Sequence, residues 1–298
     1  MFDFQITQVA INGYHHTFSE LVATLGHSAA ELGLRTRGRM VVAHEAVDVI
    51  TDAAVNVLVG DLAYTAPLLR DAMAGKPFVV WQLEPLARSV GLASTHPEYL
   101  ALLRKAVRVW DYNAGNIAKL HEWGVTRTAL LPFGHHRVLE TVSQVSDKDI
   151  DVCFFGCLTK RRREVLNALE QVGLVIVARE KCYGTERDAL IGRSRIALNI
   201  HGYDDLPILE EARLSFLLAN RCFVVSEESD HNPYGDGVIF TPYDRIVETC
   251  RHWLAQSSEA RLAVAGQGHA ALRRRPFLAS LSAAYKDARA AVSDAMAG

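Results

Sequence analysis

Hydrophobic positions along this chain fall into two alternating kinds of run. Short stretches rich in β-branched and aromatic residues alternate with longer segments whose apolar positions recur every three or four residues, the pattern of an α/β fold with largely parallel sheets. In the first half, strands are predicted at Gln5–Ile11, Met40–Ala43, Val55–Val59, Phe78–Gln82, Arg108–Asp111 and Ala129–Leu131, with helices around Phe18–Leu34, Pro67–Ala74, Pro97–Ala106 and Ala114–Trp123. A second series places strands at Ile150–Phe155, Leu174–Val177, Ile196–Ile200, Cys222–Val225 and Val238–Phe240. Its helices are expected at about Lys160–Val172, Glu186–Ser194, Pro207–Asn220 and Arg245–Gln256, followed by two more that break near Arg275-Pro276. Between the series, Pro132 to Lys148 turns polar and irregular and reads as a boundary. The division expected is residues 1–135, residues 149–276, and a last helix within 277–298 that returns to the first half.

Two doubly wound halves should present the carboxyl ends of their strands to a central cleft, because ligands of open α/β sheets bind beyond those ends. Two places in the second half draw the eye. After the strand ending at Phe155, Gly156 is followed by Thr159, a ready helix cap, and by Lys160, Arg161, Arg162 and Arg163. Four cations at a helix N-terminus oppose the macrodipole, and an anion held there would relieve the conflict. The plainer account is a solvated basic turn paired with nearby carboxylates. Further on, a strand ends at His201, Gly202 permits close approach, and Tyr203 follows. Asp205 or a neighbour is expected to cap the next helix, with Pro207 in its first turn. That helix carries Glu210, Glu211 and Arg213 on the side away from Leu209, Ala212, Phe216 and Ala219.

Composition narrows the class. The chain is 49% hydrophobic and 22% charged, with a formal net charge of -2. That balance disfavours a nucleic-acid protein, which needs a basic face against phosphate. The five cysteines form no CxxC pair, and Cys153, Cys157 and Cys222 lie in or beside apolar runs, so reduced core thiols are expected. Neither a signal peptide nor a membrane-spanning run is legible, and a cytoplasmic protein is expected.

The run from Leu198 through Glu227 resembles the donor half of GT-B glycosyltransferases, closest to the bacterial glycosyltransferase family 1-like, CgeB-type group. It holds a strand, a helix, the Leu218-Ala219-Asn220-Arg221-Cys222 turn and a second strand. The later Tyr234-Gly235-Asp236-Gly237-Val238-Ile239-Phe240 and Pro242-Tyr243-Asp244 match the same group. The likeness covers about Asp149–Pro276 well, and Gln8–Leu131 mainly in the order of its elements. It implies a GT-B-like fold of two Rossmann-type domains and a nucleotide-sugar donor held by the C-terminal one. Arg213 would face the donor diphosphate, with the Gly156–Arg163 turn opposite. The pair of glutamates eight residues apart that many retaining members carry is missing, since Ile208 and Ser215-Phe216 occupy those places. Glu211 could stand in as the ribose contact. The donor-binding residues implied are Gly156, Lys160, Arg161, His201, Tyr203, Glu210, Glu211 and Arg213.

The group is normally metal-independent, and no metal or other cofactor is expected here. There is no Asp-x-Asp, and the pairs His15-His16 and His135-His136 lack a spacing that defines a zinc site. In the first half, a general base for an acceptor hydroxyl could come from His15, His16, Asp61 or Glu84, each just beyond a strand. Glu84 stands out because it follows the apolar run ending at Trp81 and is braced by Pro85. The activity implied is transfer of a sugar, a hexosyl group above all, to a saccharide or small-molecule hydroxyl. A nucleotide-sugar epimerase and a non-catalytic nucleotide- or sugar-binding module are the alternatives.

Overall fold

The computed structural model describes residues 2–86, 96–204 and 208–297. They form two compact units. The first runs to Phe133 and resumes at Phe277; the second is Gly134–Pro276.

The first unit is built on six strands: β1 (Phe4–Ala10), β2 (Thr36–Val42), β3 (Val55–Gly60), β4 (Val79–Gln82), β5 (Arg108–Asp111) and β6 (Thr128–Leu130). They pair in parallel in the order β2-β1-β3-β4-β5-β6. Every residue of β1 and β3 is buried, as expected of inner strands covered on both faces. Polar residues inside β1 are therefore tied down: Thr7 donates to the Val49 carbonyl and Gln8 to the His15 carbonyl. The edge strand β2 leaves Met40 and Val42 exposed. Where one helix is predicted at Pro67–Ala74, the chain makes two single turns, Leu62–Thr65 and Arg70–Met73, joined by a 3-10 turn at Ala66–Leu68. The interruption falls at Leu69, whose φ of -91° and ψ of 80° leave the helical region between the two turns.

The helix Phe277–Ala297 belongs to this unit. Its Phe277 ring lies 5.8 Å from that of Trp81, Tyr285 meets Phe4 edge-on at 5.7 Å, and Asp287 takes two hydrogen bonds from Arg108 at 2.6 and 2.9 Å.

The second unit has five parallel strands: β7 (Ile150–Phe155), β8 (Ile176–Arg179), β9 (Ser194–Asn199), β10 (Val224–Glu227) and β11 (Ile239–Thr241), in the order β11-β10-β9-β7-β8. Alternation divides its apolar residues between two faces. Cys153, Ala197 and Val224 join one cluster with Leu190, Leu214 and Leu218. Val152, Phe154, Ile196, Leu198 and Val225 join another with Val165, Leu169 and Ile246. The polar stretch after Gly134 is fastened to this unit. Leu139 is buried in its core, and the Asn220 side chain accepts the Thr141 and Val142 N–H groups, both at 2.8 Å, while donating to the Leu139 carbonyl.

Two local expectations need correction. Cys157, read with the apolar run, is exposed because it lies past Gly156, beyond the sheet; Cys153, Cys182, Cys222 and Cys250 are buried free thiols. The helix expected from Pro207 is observed at Glu211–Ala219. The proposed cap and proline, Asp205 and Pro207, lie outside the described residues.

In each sheet the strand order reverses direction once, between β1 and β3 in the first and between β7 and β9 in the second. Such reversals splay the connecting loops and open a crevice at the strand ends.

Candidate functional site

At the β7/β9 reversal two guanidinium groups enclose one carboxylate. Glu210 Oε1 accepts a hydrogen bond from Arg162 Nη2 at 2.6 Å, and its Oε2 accepts from Arg213 Nη1. Arg213 also donates to Asn199, the last residue of β9, at 2.7 Å. Arg162 donates to the Ile200 and Cys157 carbonyls, both at 2.9 Å, spanning the ends of the two strands. Burial alone would raise the pKa of Glu210, but Arg213 and Arg162 outweigh it and hold the carboxyl below its ordinary value. The Arg162–Glu210–Arg213 trio carries one excess positive charge in a largely desolvated place, and the Arg161–Glu227–Asp204 group beside it carries one excess negative charge.

Gly156 makes room for this arrangement. Its φ is +132°, and a Cβ there would stand 2.9 Å from Arg213 Nη2. His201 lies at the same strand ends. Its backbone N–H donates to Glu227 at 3.0 Å, and its Nε2 is 2.9 Å from the Glu228 carbonyl. A carbonyl can only accept, so Nε2 carries the proton and Nδ1 the lone pair in the neutral ring. That Nδ1 is buried with no hydrogen-bond partner among the described residues.

The rest of the basic turn disperses. Thr159 caps the helix Lys160–Gln171. Arg161 is bound by Glu227, with Nη1 to Oε2 at 2.5 Å, and by Asp204, while its guanidinium lies 3.7 Å from the centre of the Tyr243 ring. Arg163 donates to the Leu158 carbonyl at 2.8 Å. Lys160 is 94% exposed, 3.9 Å from Glu164. Carboxylates thus answer the conflict with the helix dipole, and only Arg162 of the four joins Arg213. Tyr203 is exposed. Glu211, expected on the outer face of its helix, is 1% exposed and turned inward, while Ala212 is exposed. It accepts from His231 at 3.2 Å, Arg275 at 3.3 Å and Tyr234 at 3.4 Å, partners numerous enough to hold a buried carboxylate.

In the first unit, carboxylates gather at the ends of β3, β4 and β5, three neighbouring strands. Gly60 lets β3 pass so close to β1 that a Cβ on it would meet the Val9 carbonyl oxygen at 2.1 Å. The next residue, Asp61, bridges the reversal by accepting the Ile11 N–H at 3.0 Å, and burial raises its pKa. Glu84 is half-buried; burial, with the Asp61 charge adding to it, pushes its carboxyl up to about 7. The Glu84 backbone is clamped on both sides: its N–H donates to Gln82 at 2.6 Å, and its carbonyl accepts from Gln82 at 2.7 Å and Asn116 at 3.2 Å. Behind this lies Asp111, fully buried, accepting from Gln82, Asn116 and the Asn113 N–H, its carboxyl raised by burial to about 7. His15 is half-buried with its ring 4.3 Å from that of His16, which is exposed.

Sequence reasoning marked Arg162 only as one of four cations in the turn, and missed Asn199 and Glu227 in the second unit and the Gln82–Asp111–Asn116 network in the first. Asp111-Tyr112-Asn113 reads as a helix cap, and Asn113 does cap Ala114–Glu122. The partnership of Asp111 with Gln82 follows from the pairing of β4 with β5, which places the two side by side.

No family model matches the chain. It is 32% identical over 174 residues to uncharacterized protein L140 of Acanthamoeba polyphaga mimivirus, covering 53% of this chain and 56% of the relative. It is 28% identical over 160 residues to uncharacterized protein R358 of the same virus, covering 51% and 55%. The chain thus spans about half the length of the curated relatives it matches. Among solved structures it is similar to the DNA modifying enzyme beta-glucosyltransferase (TM-score 0.58, 16% identity, 95% of this chain and 99% of that one). An alpha,alpha-trehalose-phosphate synthase from Burkholderia vietnamiensis gives 0.58 at 10% identity over 93% and 78%. AviGT4, a glycosyltransferase involved in Avilamycin A biosynthesis, gives 0.55 at 13% over 97% and 98%. At these identities the likeness is one of architecture: the chain has the GT-B fold, the fold of these glycosyltransferases.

Proposed function

We propose that this chain is a metal-independent glycosyltransferase that moves a sugar, a hexosyl group in the first instance, from a nucleotide-sugar donor to an acceptor hydroxyl. The observation that carries the reading is the pairing of Arg162 and Arg213 around Glu210 at the β7/β9 reversal. A leaving nucleoside diphosphate gains negative charge as the glycosidic bond breaks, and preorganised cations stabilise that charge more than the ground state. Glu210 aims both guanidiniums while leaving them net positive. Gly156 admits the ligand backbone-close, and the roles expected of Lys160 and Arg161 pass to Arg162.

In the transfer step the acceptor oxygen forms a bond to the anomeric carbon as the bond from that carbon to the diphosphate oxygen breaks. The diphosphate leaves with the electron pair, and the acceptor proton goes to a base. Glu84 suits that role, since a carboxyl near 7 is an effective base at neutral pH. The inward turn of Glu211 leaves ribose recognition to other groups, which keeps a donor-binding module without turnover as the second reading.

The beta-glucosyltransferase of like fold was solved in the presence and absence of the substrate uridine diphosphoglucose, which makes UDP-sugars the first donors to try. The test is calorimetry with UDP and related nucleoside diphosphates, followed by assay of UDP release from UDP-sugars with and without saccharide acceptors. Acceptor-dependent release supports transfer, binding without release supports the module, and absence of any nucleoside diphosphate binding overturns both.

A further inference from the structure

We infer that His135, Glu140 and His269 form a binding site for a divalent cation of the zinc type. All three belong to the second unit, and their ligand atoms lie within 4.8 Å of one another. His135 Nε2 is 2.7 Å from Glu140 Oε1, and its ring meets that of His269 edge-on at 5.7 Å.

The tautomer of His269 supports the assignment. Its Nδ1 lies 3.1 Å from the Leu218 carbonyl, which can only accept, so Nδ1 carries the proton. In the neutral ring Nε2 then holds the lone pair, and the carbonyl fixes the ring plane, the support that metal-bound histidines characteristically receive. His269 is only 4% exposed, so the carbonyl contact holds a ring that packing already confines. Two imidazoles and a carboxylate are a donor set suited to zinc, and the exposed Glu140 side leaves room for water as a fourth ligand.

Metal–ligand bonds of about 2.0–2.2 Å place tetrahedral ligand atoms roughly 3.4 Å apart. The His135–Glu140 pair must therefore part slightly while His269 draws closer, with the ion taking the place of the proton that the pair shares. The charge of Arg221 reaches both Glu140 and His269 and opposes the cation, which limits affinity. The site would tie the entering segment to the helix Ser258–Arg273. The two already run together there, as His135 N–H donates to the Arg275 carbonyl at 2.8 Å.

The experiment is zinc titration of the full chain after chelator treatment, followed by calorimetry and thermal melting, with His135→Gln, Glu140→Gln and Cys157→Ser variants. The inference expects one equivalent bound with a rise in Tm, because a ligand of the folded state stabilises it. It expects affinity at least about tenfold weaker in both Gln variants and unchanged in Cys157→Ser, whose exposed thiol is the obvious competing ligand. No uptake by the native chain, or uptake undiminished in both Gln variants, overturns the site. Both Gln substitutions fall on side chains with solvent access, so each variant's fold is checked by its metal-free melting curve.

Discussion

Gly156 and Arg213 stand so close that a Cβ on the glycine would lie 2.9 Å from the guanidinium Nη2, near enough that the arginine must shift. Gly156→Ala therefore does two things. It places an alanine at a φ of +132°, a strain of about 1–3 kcal/mol, and it pushes Arg213 off its bonds to Glu210 and Asn199. Lower Tm together with weaker UDP binding is the expected outcome. Native affinity in a well-folded variant would place the diphosphate away from this turn.

Arg213→Ala should weaken nucleoside-diphosphate binding by about 1.5–3 kcal/mol, the range for hydrogen bonds to a charged group. Arg162→Ala should cost stability as well, because it also frees the Ile200 and Cys157 carbonyls. Lys160→Ala serves as the contrast: at 94% exposure it should change neither affinity nor melting. Calorimetry across the three variants ranks the cations directly.

Glu84→Gln keeps the shape of the side chain and removes its basicity. Turnover should fall by about two to four orders of magnitude while UDP affinity holds. In the native chain, transfer limited by this base should rise with pH through about 7, where Glu84 loses its proton. If Glu84→Gln transfers at nearly the native rate, the base moves to His15, His16 or Asp61. If those variants also remain active, a base-free transfer with retention becomes the better account.

The same burial leaves a mark on stability. Burial pushes the Glu84 and Asp111 carboxyls up to about 7 in the fold, well above the ordinary carboxylate range. Between about 4 and 7 these two groups hold more protons folded than unfolded, so their contribution to stability falls as pH rises through that range. Urea midpoints measured across that range should decline, and Asp111→Asn should make the decline shallower. A midpoint that climbs over the same range contradicts the raised carboxyl values.

Strand placement was legible because a buried parallel strand is an apolar run with few other readings. Arg108–Asp111 and Ile150–Phe155 form over the predicted residues. The helix after β9 was less so: Glu211 looks like a solvent-facing acid, and only its three partners, His231, Tyr234 and Arg275, all brought in from elsewhere, let it lie inside. The basic turn was visible as an anomaly, but not which cation would turn inward. That depends on carboxylates at Asp204, Glu210 and Glu227 that the fold brings to the same strand ends. Glu84 was visible by its place after a strand, whereas its clamp was hidden because Gln82 and Asp111 meet only through sheet pairing.

The helix Phe277–Ala297, packed against Phe4, Trp81 and Arg108, sets an order on assembly. On the ribosome, everything from Gly134 to Pro276 emerges before that helix does, so the later unit can close around its own core first. The earlier one must wait with an apolar face uncovered until Phe277–Ala297 appears. Removal of the helix should therefore harm the unit made earlier, not the one beside it in sequence.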